Sequence, residues 1–396
     1  MNRIRAEEGA LLIWNMKHAR TAYISGQELI ALERWTEGQA NGFSDRLKKL
    51  EIIHDEDRPA IKEAIAEAAH KKAPPHSFCA PESLHIELTS QCPLNCPQCY
   101  KIHSKEEHSL EFLLDVIDQA DKMNVFQLAL GGGEPLVYGH LLSVIGEISK
   151  CGMASSITTS GYGLDQDLLA KLQKAGLNHI QISLNGSQEE IHSRSREGFE
   201  YAINALKLSA NSGISFGVNY VARMDNIDDL PNLIAMAKNY RTHNINLLRY
   251  KPSCKEKYAE LDLNPEKMAL LATTIRNTRG INIKVDSAFS NLLCHLNNKA
   301  GQFSGCGAGR RFLALDAEGC YRPCSHVNMK EPKNSRLAEV WNHSPNLAMF
   351  RLIPEKITEP CKTCKNLFGC YGCRAIVLSQ GDDFFSGDES CLFVKN

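Results

Sequence analysis

Between residues 84 and about 285, short aliphatic and β-branched runs recur at regular intervals. They are separated by segments of helix length whose apolar positions fall three and four residues apart. The runs at 84–89, 126–131, 155–160, 179–185, 215–221 and 245–250 predict six strands. The stretches near 109–123, 138–150, 165–175, 189–211 and 228–239 predict the helices between them. Strands that alternate with helices form a parallel α/β sheet, either open or curved into a partial barrel. Upstream, Leu11-Leu12-Ile13-Trp14 and Thr21-Ala22-Tyr23-Ile24 flank a polar break through Lys17 and Arg20, which suits a hairpin. Two helical stripes follow, one through Leu29, Ile30, Leu32 and Trp35, the other through Leu47, Leu50 and Ile53. The segment 69–76, with Pro74-Pro75 between polar flanks, reads as a linker. After about 290 the periodicity fades, apart from a hairpin signal at Phe312 to Gly319. This divides the chain into a small α+β unit over 1–75, a partial barrel over 76–288 and a cysteine-rich region over 289–396. There is no internal repeat of propeller or solenoid type and no low-complexity tract.

Charge narrows the function classes. With 45 Lys and Arg against 46 Asp and Glu, there is no basic footprint for nucleic acid and no polybasic patch for a membrane surface. No stretch reaches the roughly 18 to 20 apolar residues of a spanning helix. The start, Met1 to Glu8, lacks the apolar core of a secretory signal, so a cytoplasmic location is expected, where thiols stay reduced. Fifteen cysteines in such a setting point away from disulfides. Three fall within Cys92–Cys99 and nine between Cys294 and Cys391, and such clustering at short spacings suggests metal ligation.

The first cluster, Cys92-Pro-Leu-Asn-Cys96-Pro-Gln-Cys99-Tyr100, directly follows the first strand of the repeat. Three thiolates on one tight loop can hold three irons of a cubane and leave the fourth open. The alternative is a zinc site short of one ligand, but structural zinc closes at four. Gly131-Gly132-Gly133-Glu134-Pro135 ends the second strand, Ser160-Gly161 the third, and Ser183 with Asn185 the fourth; Arg194 and Arg196 lie just beyond. Asn219 and Arg249 end the fifth and sixth. Cys92 to Cys99, Glu134, Ser160, Ser183, Asn219 and Arg249 fall at or just past the C-terminal ends of predicted strands, the rim where β/α barrels build active sites.

On these motifs the chain resembles the radical S-adenosylmethionine (radical SAM) enzymes with a C-x3-C-x2-C loop. The resemblance implies that Cys92, Cys96 and Cys99 hold a 4Fe-4S cluster whose open iron chelates the methionine part of S-adenosylmethionine. It implies that Gly132, Gly133 and Glu134 contact the methionine amino group, that Ser160, Ser183 and Asn185 contact the cofactor, and that Arg194 or Arg196 meets its carboxylate. Many relatives carry Asp where this chain has Asn185, and an amide keeps the hydrogen bonding without the charge. Reductive cleavage would give a 5′-deoxyadenosyl radical that abstracts a hydrogen atom from the substrate.

The C-terminal cysteines, Cys306-x12-Gly319-x4-Cys324, then Cys361-x2-Cys364-x5-Cys370-x2-Cys373, then Cys391, resemble the SPASM extension of this family, which binds two auxiliary 4Fe-4S clusters. Two zinc knuckles are the alternative for such C-x2-C pairs. By the resemblance, Cys361, Cys364, Cys370 and Cys391 hold one cluster, and Cys306, Cys324 and Cys373 the other, with Cys294 as candidate fourth ligand. Cys79, Cys151, Cys254 and Cys320 are expected to be ordinary thiols.

The small N-terminal unit resembles the leader-binding element of ribosomal-peptide maturases, which adds a peptide as a strand to its sheet edge; a helical cap on the barrel is the plainer reading. The expectation is an enzyme that forms a carbon-carbon or thioether crosslink in a ribosomally made precursor peptide with a leader, using an electron donor such as flavodoxin or ferredoxin. The alternatives are a sulfatase-type maturase that oxidises Ser or Cys to formylglycine, and a non-catalytic iron-sulfur electron carrier.

Overall fold

The computed structural model describes residues 2–16, 20–101, 104–252, 260–297, 305–388 and 391. Its centre is a nine-stranded sheet. Strands β4 (Ser83–Thr89), β5 (Gln127–Gly132), β6 (Ala154–Thr159), β7 (His179–Ser183), β8 (Ser215–Ala222) and β9 (Asn244–Arg249) pair in sequence order, all parallel. These are the six strands expected from the repeat. Three more extend the sheet: β10 (Asn282–Val285) joins β9 in parallel, and β11 (Phe312–Leu315) joins the far side of β4 in parallel. An antiparallel β12 (Tyr321–Arg322) completes the hairpin that the sequence signals at 312–319.

Helices α4 (Leu110–Lys122), α5 (Leu141–Lys150), α6 (Gln166–Ala175), α7 (Glu189–Ser193), α8 (Phe199–Ala210) and α9 (Leu230–Asn239) connect the strands. In α4 the apolar face Leu113, Val116, Ile117 and Ala120 is buried, and the Ser109 hydroxyl caps the helix by accepting from Phe112 N at 3.2 Å. Where one helix over 189–211 is expected, there are two. Gly198 stands between them at φ +79°, a left-handed conformation that ends a helical run. Past residue 330, where periodicity fades in the sequence, short helices form nonetheless: Leu337–His343, Pro345–Arg351, Ile353–Lys356, Leu367–Cys370 and Arg374–Ser379. Each is too short to show a repeat. No helix among the described residues is long and apolar enough to cross a membrane.

The N-terminal residues form an antiparallel sheet in the order β1 (Asn2–Glu7), β2 (Ala10–Asn15), β3 (Arg20–Ser25), so β3 is an edge. Helices α1 (Gly26–Thr36), α2 (Gly42–Lys49) and α3 (Arg58–Ala68) cover it. Strand β1 and helix α3 were not expected from the pattern. In β1, Arg3 and Arg5 disguise the strand, yet Arg5 is buried, with its guanidinium bonded to Glu7, Pro81 O and Ala80 O and lying 4.7 Å from the Phe126 ring centre. The unit docks through Leu12 and Trp14 onto Phe126 and Ala154, and through Arg3 onto Asp121, Asn124 and Cys151 O. Those partners all stand at or just before the first residues of β5 and β6. The N-terminal sheet therefore sits at the end of the parallel strands opposite their C-terminal rim.

Cys79 lies in this junction. Burial, reinforced by the Glu7 carboxylate, pushes its thiol up to about 11. At pH 8 only about one molecule in a thousand would then carry the thiolate, so iodoacetamide is expected to alkylate Cys79 at least tenfold more slowly than an ordinary cysteine of pKa near 8.5. Peptide mapping of the native protein checks this.

Candidate active site

The C-terminal ends of the parallel strands enclose a cavity of about 380 Å³. Cys92, Cys96, Cys99, Gly132, Gly133, Ser160, Ser183, Asn185 and Arg196 line it, as do Asn219 and Arg249. The structure thus brings most of the residues expected to hold the first cluster and S-adenosylmethionine around one cavity. Glu134 and Arg194 are not on it.

The cysteine loop is fixed from two sides. Within the loop, Cys99 N donates to Cys96 O at 3.0 Å; across the cavity rim, Gln98 N donates to Ser195 O at 3.1 Å and Asn95 N to the Glu197 carboxylate at 2.8 Å. Glu197 N points at the Cys96 sulfur, 3.5 Å away. The segment 195–198 therefore carries Arg196 to the cavity while it braces the loop. Arg194, two residues earlier, is turned outward: its guanidinium donates to Asp225 O at 2.6 Å and to Glu190 at 3.1 Å, and it is exposed.

The glycines act on the protein's own backbone. At Gly133 an added Cβ would stand 2.0 Å from Gln91 O, and at Gly132, with φ +127°, it would stand 2.3 Å from Thr89 O. Their bareness lets the end of β5 press against the backbone leading into the cysteine loop, an approach fixed by Gly133 N donating to Thr89 O at 2.7 Å and Glu134 N to Gln91 O at 2.9 Å. Glu134 is buried, and its carboxylate accepts from Thr159 Oγ1 at 2.7 Å, Ser160 N at 2.8 Å, Ser160 Oγ at 2.5 Å and Leu136 N at 3.1 Å. It clamps the end of β5 to the end of β6. Asn185 is a similar tie: its Oδ1 accepts from Val221 N at 2.9 Å, its Nδ2 donates to Ser195 Oγ at 2.9 Å, and its main-chain N donates to His192 Nδ1 at 3.2 Å.

A second cavity of about 450 Å³ opens beside the first and shares Glu87, Tyr100, Lys101, Lys251, Ser325 and His326 with it. Its outer wall carries Asp316, Glu318, Arg322 and Lys330. The shared boundary holds two ion pairs, Lys101 with Glu87 at 2.5 Å and Lys251 with Asp286 at 2.7 Å, and the Tyr100 and His326 rings, 4.2 Å between centres. Burial holds His85 down to about 4, so it is neutral near pH 7. None of the boundary groups was singled out in the sequence except Tyr100, as part of the cysteine motif; the rest come together only through the fold. Asp316, Glu318 and Cys320 also lie within 4.8 Å of one another, but the carboxylates are paired with Arg322 and Lys330.

Behind the cavity, Cys306, Cys324 and Cys373 are gathered so that the charge of Cys373 reaches Cys306 and Cys324, and that of Cys306 reaches Cys324. Burial, helped by Cys373, pushes Cys306 up to about 11, and burial with the charges of Cys306 and Cys373 pushes Cys324 up to about 12. Buried thiols so disfavoured as thiolates, yet gathered together, fit a site for a metal that would neutralise them. Burial raises the Cys361 thiol too, with the charge of Cys364 adding to it. Cys254 lies outside the described residues.

A parallel α/β sheet with three cysteines over its C-terminal rim and a glycine-rich strand end beside them is the architecture of the radical SAM superfamily, and residues 86–237 match the model of that superfamily. The chain carries a radical SAM domain. Among relatives, it is similar to the PqqA peptide cyclase of Gluconobacter oxydans (strain 621H), 28% identical over 321 residues that cover 76% of this chain and 87% of the relative. It is also similar to the PqqA peptide cyclase of Granulibacter bethesdensis, 26% identical over 330 residues, 78% of this chain and 87% of the relative. Among solved structures, Streptococcus suis SuiB bound to S-adenosylmethionine has the same fold over 99% of this chain and 98% of its own, with a TM-score of 0.74 at 16% identity. A structure of anSMEcpe with bound AdoMet reaches 0.62 at 18% identity, over 78% of this chain and 93% of its own.

Proposed function

We propose that this protein is a radical SAM peptide maturase that removes hydrogen from a ribosomally made precursor peptide and joins two of its residues through a carbon-carbon or thioether bond. The observation that carries the proposal is the cavity in which three cysteines, two backbone-packed glycines and Arg196 converge on the C-terminal rim. The kinship to two PqqA peptide cyclases supports the substrate class, and so does the likeness to SuiB, which has been solved bound to its precursor peptide SuiA. In this reading residues 1–75 recognise the peptide, 76–288 carry the chemistry, and 289–396 hold auxiliary iron on Cys306, Cys324 and Cys373 and on Cys361, Cys364, Cys370 and Cys391.

The residues present fit the group a radical SAM domain implies. Cys92, Cys96 and Cys99 would hold a 4Fe-4S cluster with one iron free for S-adenosylmethionine. Arg196 Nε is buried and has no hydrogen-bond partner among the described residues, which suits a carboxylate arriving with the cofactor. When bound, the cluster and cofactor supply one-electron chemistry that takes a hydrogen atom from the peptide. The chain's share is placement: Glu134 and Asn185 hold the rim rigid, and the two-cavity arrangement admits a peptide side chain from the polar cavity while the apolar strand residues below exclude water.

Arg196→Ala should weaken S-adenosylmethionine binding by about 10- to 150-fold, the worth of a charge-assisted hydrogen bond of roughly 1.5 to 3 kcal/mol. Arg194→Ala should change it by less than about twofold, because that side chain faces Asp225 and Glu190. Equilibrium dialysis of the anaerobically reconstituted protein against labelled cofactor distinguishes them.

The function itself is tested by incubating the reconstituted protein with cofactor, reductant and candidate precursor peptides taken from short reading frames near its gene. The expected product is lighter than the peptide by two hydrogens. Formation of 5′-deoxyadenosine with no change in peptide mass would sink the maturase reading and leave only the radical SAM domain.

A further inference from the structure

His85 lies on β4, two residues before Glu87, and lines the cavity beside Ala129, its register partner on β5. The Phe312 ring of β11 stacks on its imidazole, 8° from parallel with 4.9 Å between centres. Stacking covers a face of the imidazole, whereas the nitrogens stand on the ring edge, and no hydrogen bond engages either of them among the described residues. The neighbouring carboxylates are engaged: Glu87 is paired with Lys101, and Asp286, whose charge reaches His85, is paired with Lys251. Because burial keeps the imidazole neutral near pH 7, one of its nitrogens offers a lone pair to whatever enters the cavity.

Resting on the reading that the protein joins two residues of a peptide, we propose that His85 is the catalytic base that takes the proton released as the new bond closes. The joining removes two hydrogens from the peptide. One leaves a carbon as a hydrogen atom and becomes the new C–H bond of 5′-deoxyadenosine. The carbon radical so formed bonds to a carbon or sulfur of the second residue, and the X–H bond of that atom breaks. Its proton goes to the His85 lone pair, and the one electron left over goes to an oxidised auxiliary iron-sulfur cluster, which is reduced by one unit. Atoms and charge then balance. That proton departs from a centre that is losing an electron, so it is strongly acidic and a base weakened by burial can still receive it. The same burial keeps the base unprotonated until the peptide arrives, and the Asp286 carboxylate favours the imidazolium that results.

The test compares the reconstituted parent with His85→Asn, which keeps a polar side chain but no basic lone pair, and with His85→Gly, which leaves room for free imidazole. Crosslinked peptide per 5′-deoxyadenosine, iron per chain and affinity for S-adenosylmethionine are measured in each, with the peptide that the parent crosslinks. The expected result is a fall of about 100-fold or more in crosslink per 5′-deoxyadenosine in both variants, at parental iron and cofactor affinity. Added imidazole should restore the crosslink in His85→Gly and not in His85→Asn. A ratio in His85→Asn within about twofold of the parent would overturn the proposal. So would a fall that comes with lost iron or lost cofactor affinity and that imidazole does not repair, since His85 would then serve packing alone. A parent that crosslinks no peptide would overturn the maturase reading itself, and this proposal with it.

Discussion

Conversion of S-adenosylmethionine to 5′-deoxyadenosine is expected to fall below detection in Cys96→Ala, while most of the iron bound by residues 289–396 is retained. Cys96 is the middle ligand of the proposed three, and its sulfur is the one held by Glu197 N at 3.5 Å. With two cysteines left on the loop, a cubane has neither the ligands nor the geometry to present one open iron. The loss should therefore be in the chemical step itself and of several orders of magnitude, unlike the graded loss of affinity in Arg196→Ala. Cys79→Ala supplies the control, since that thiol lies at the opposite end of the barrel beside Glu7. Chromatographic assay of 5′-deoxyadenosine alongside iron analysis separates loss of one cluster from collapse of the chain; 5′-deoxyadenosine formation close to that of the parent in Cys96→Ala would refute the assignment of the loop.

The second large effect is on stability. Arg249, at the end of β9, has a side chain with 0% exposure, and its guanidinium meets Asp388 at 2.5 and 3.2 Å and Asp262 at 3.3 Å. It also donates to Ala288 O at 3.2 Å. Arg249→Met keeps the stem and deletes the charge that bridges two buried carboxylates, a loss of about 3 to 5 kcal/mol. Arg249→Lys should recover only part of this, since a single ammonium cannot span both carboxylates as the fork does. Denaturant titration of the two variants measures the difference. Asp388 O accepts from Cys391 N at 3.0 Å, so Arg249→Met should also lower iron retention on the C-terminal set.

Why these residues were readable to different degrees follows from what each depends on. Strands β4 to β9 carry their own signal, because buried aliphatic residues such as Leu84, Ile86 and Leu88 recur at every second position and helix-length amphipathic segments separate one strand from the next. Strand β10, Asn-Ile-Lys-Val at the sheet edge, is half exposed and has no buried aliphatic residue. Strand β1 hides behind Arg3 and Arg5, whose partners Asp121, Asn124 and Pro81 are more than seventy residues away. The cysteine loop is legible because its ligands are local and their spacing is the chemistry. Glu134 is legible as a rim residue but not as a clamp, since its acceptors' partners Thr159 and Ser160 lie on the next strand. Arg194 and Arg196 are indistinguishable in sequence, two residues apart at the end of a short helix; only the turn that follows sends one to the cavity and the other to solvent.

The placement of the N-terminal sheet under the first residues of β5 and β6 makes the barrel a ruler. Strand β4 has seven residues, and at roughly 3.3 Å each it spans about 20 Å from that sheet's side to the cavity rim. A peptide anchored along the edge strand β3 must cross at least this height, and more if it follows the surface. An extended chain needs about six residues for the direct distance. Residues closer than that to the anchored segment are out of reach of the chemistry, so the protein would choose its target by distance along the peptide as well as by side chain, and shortening the spacer below this length would silence modification without weakening the grip.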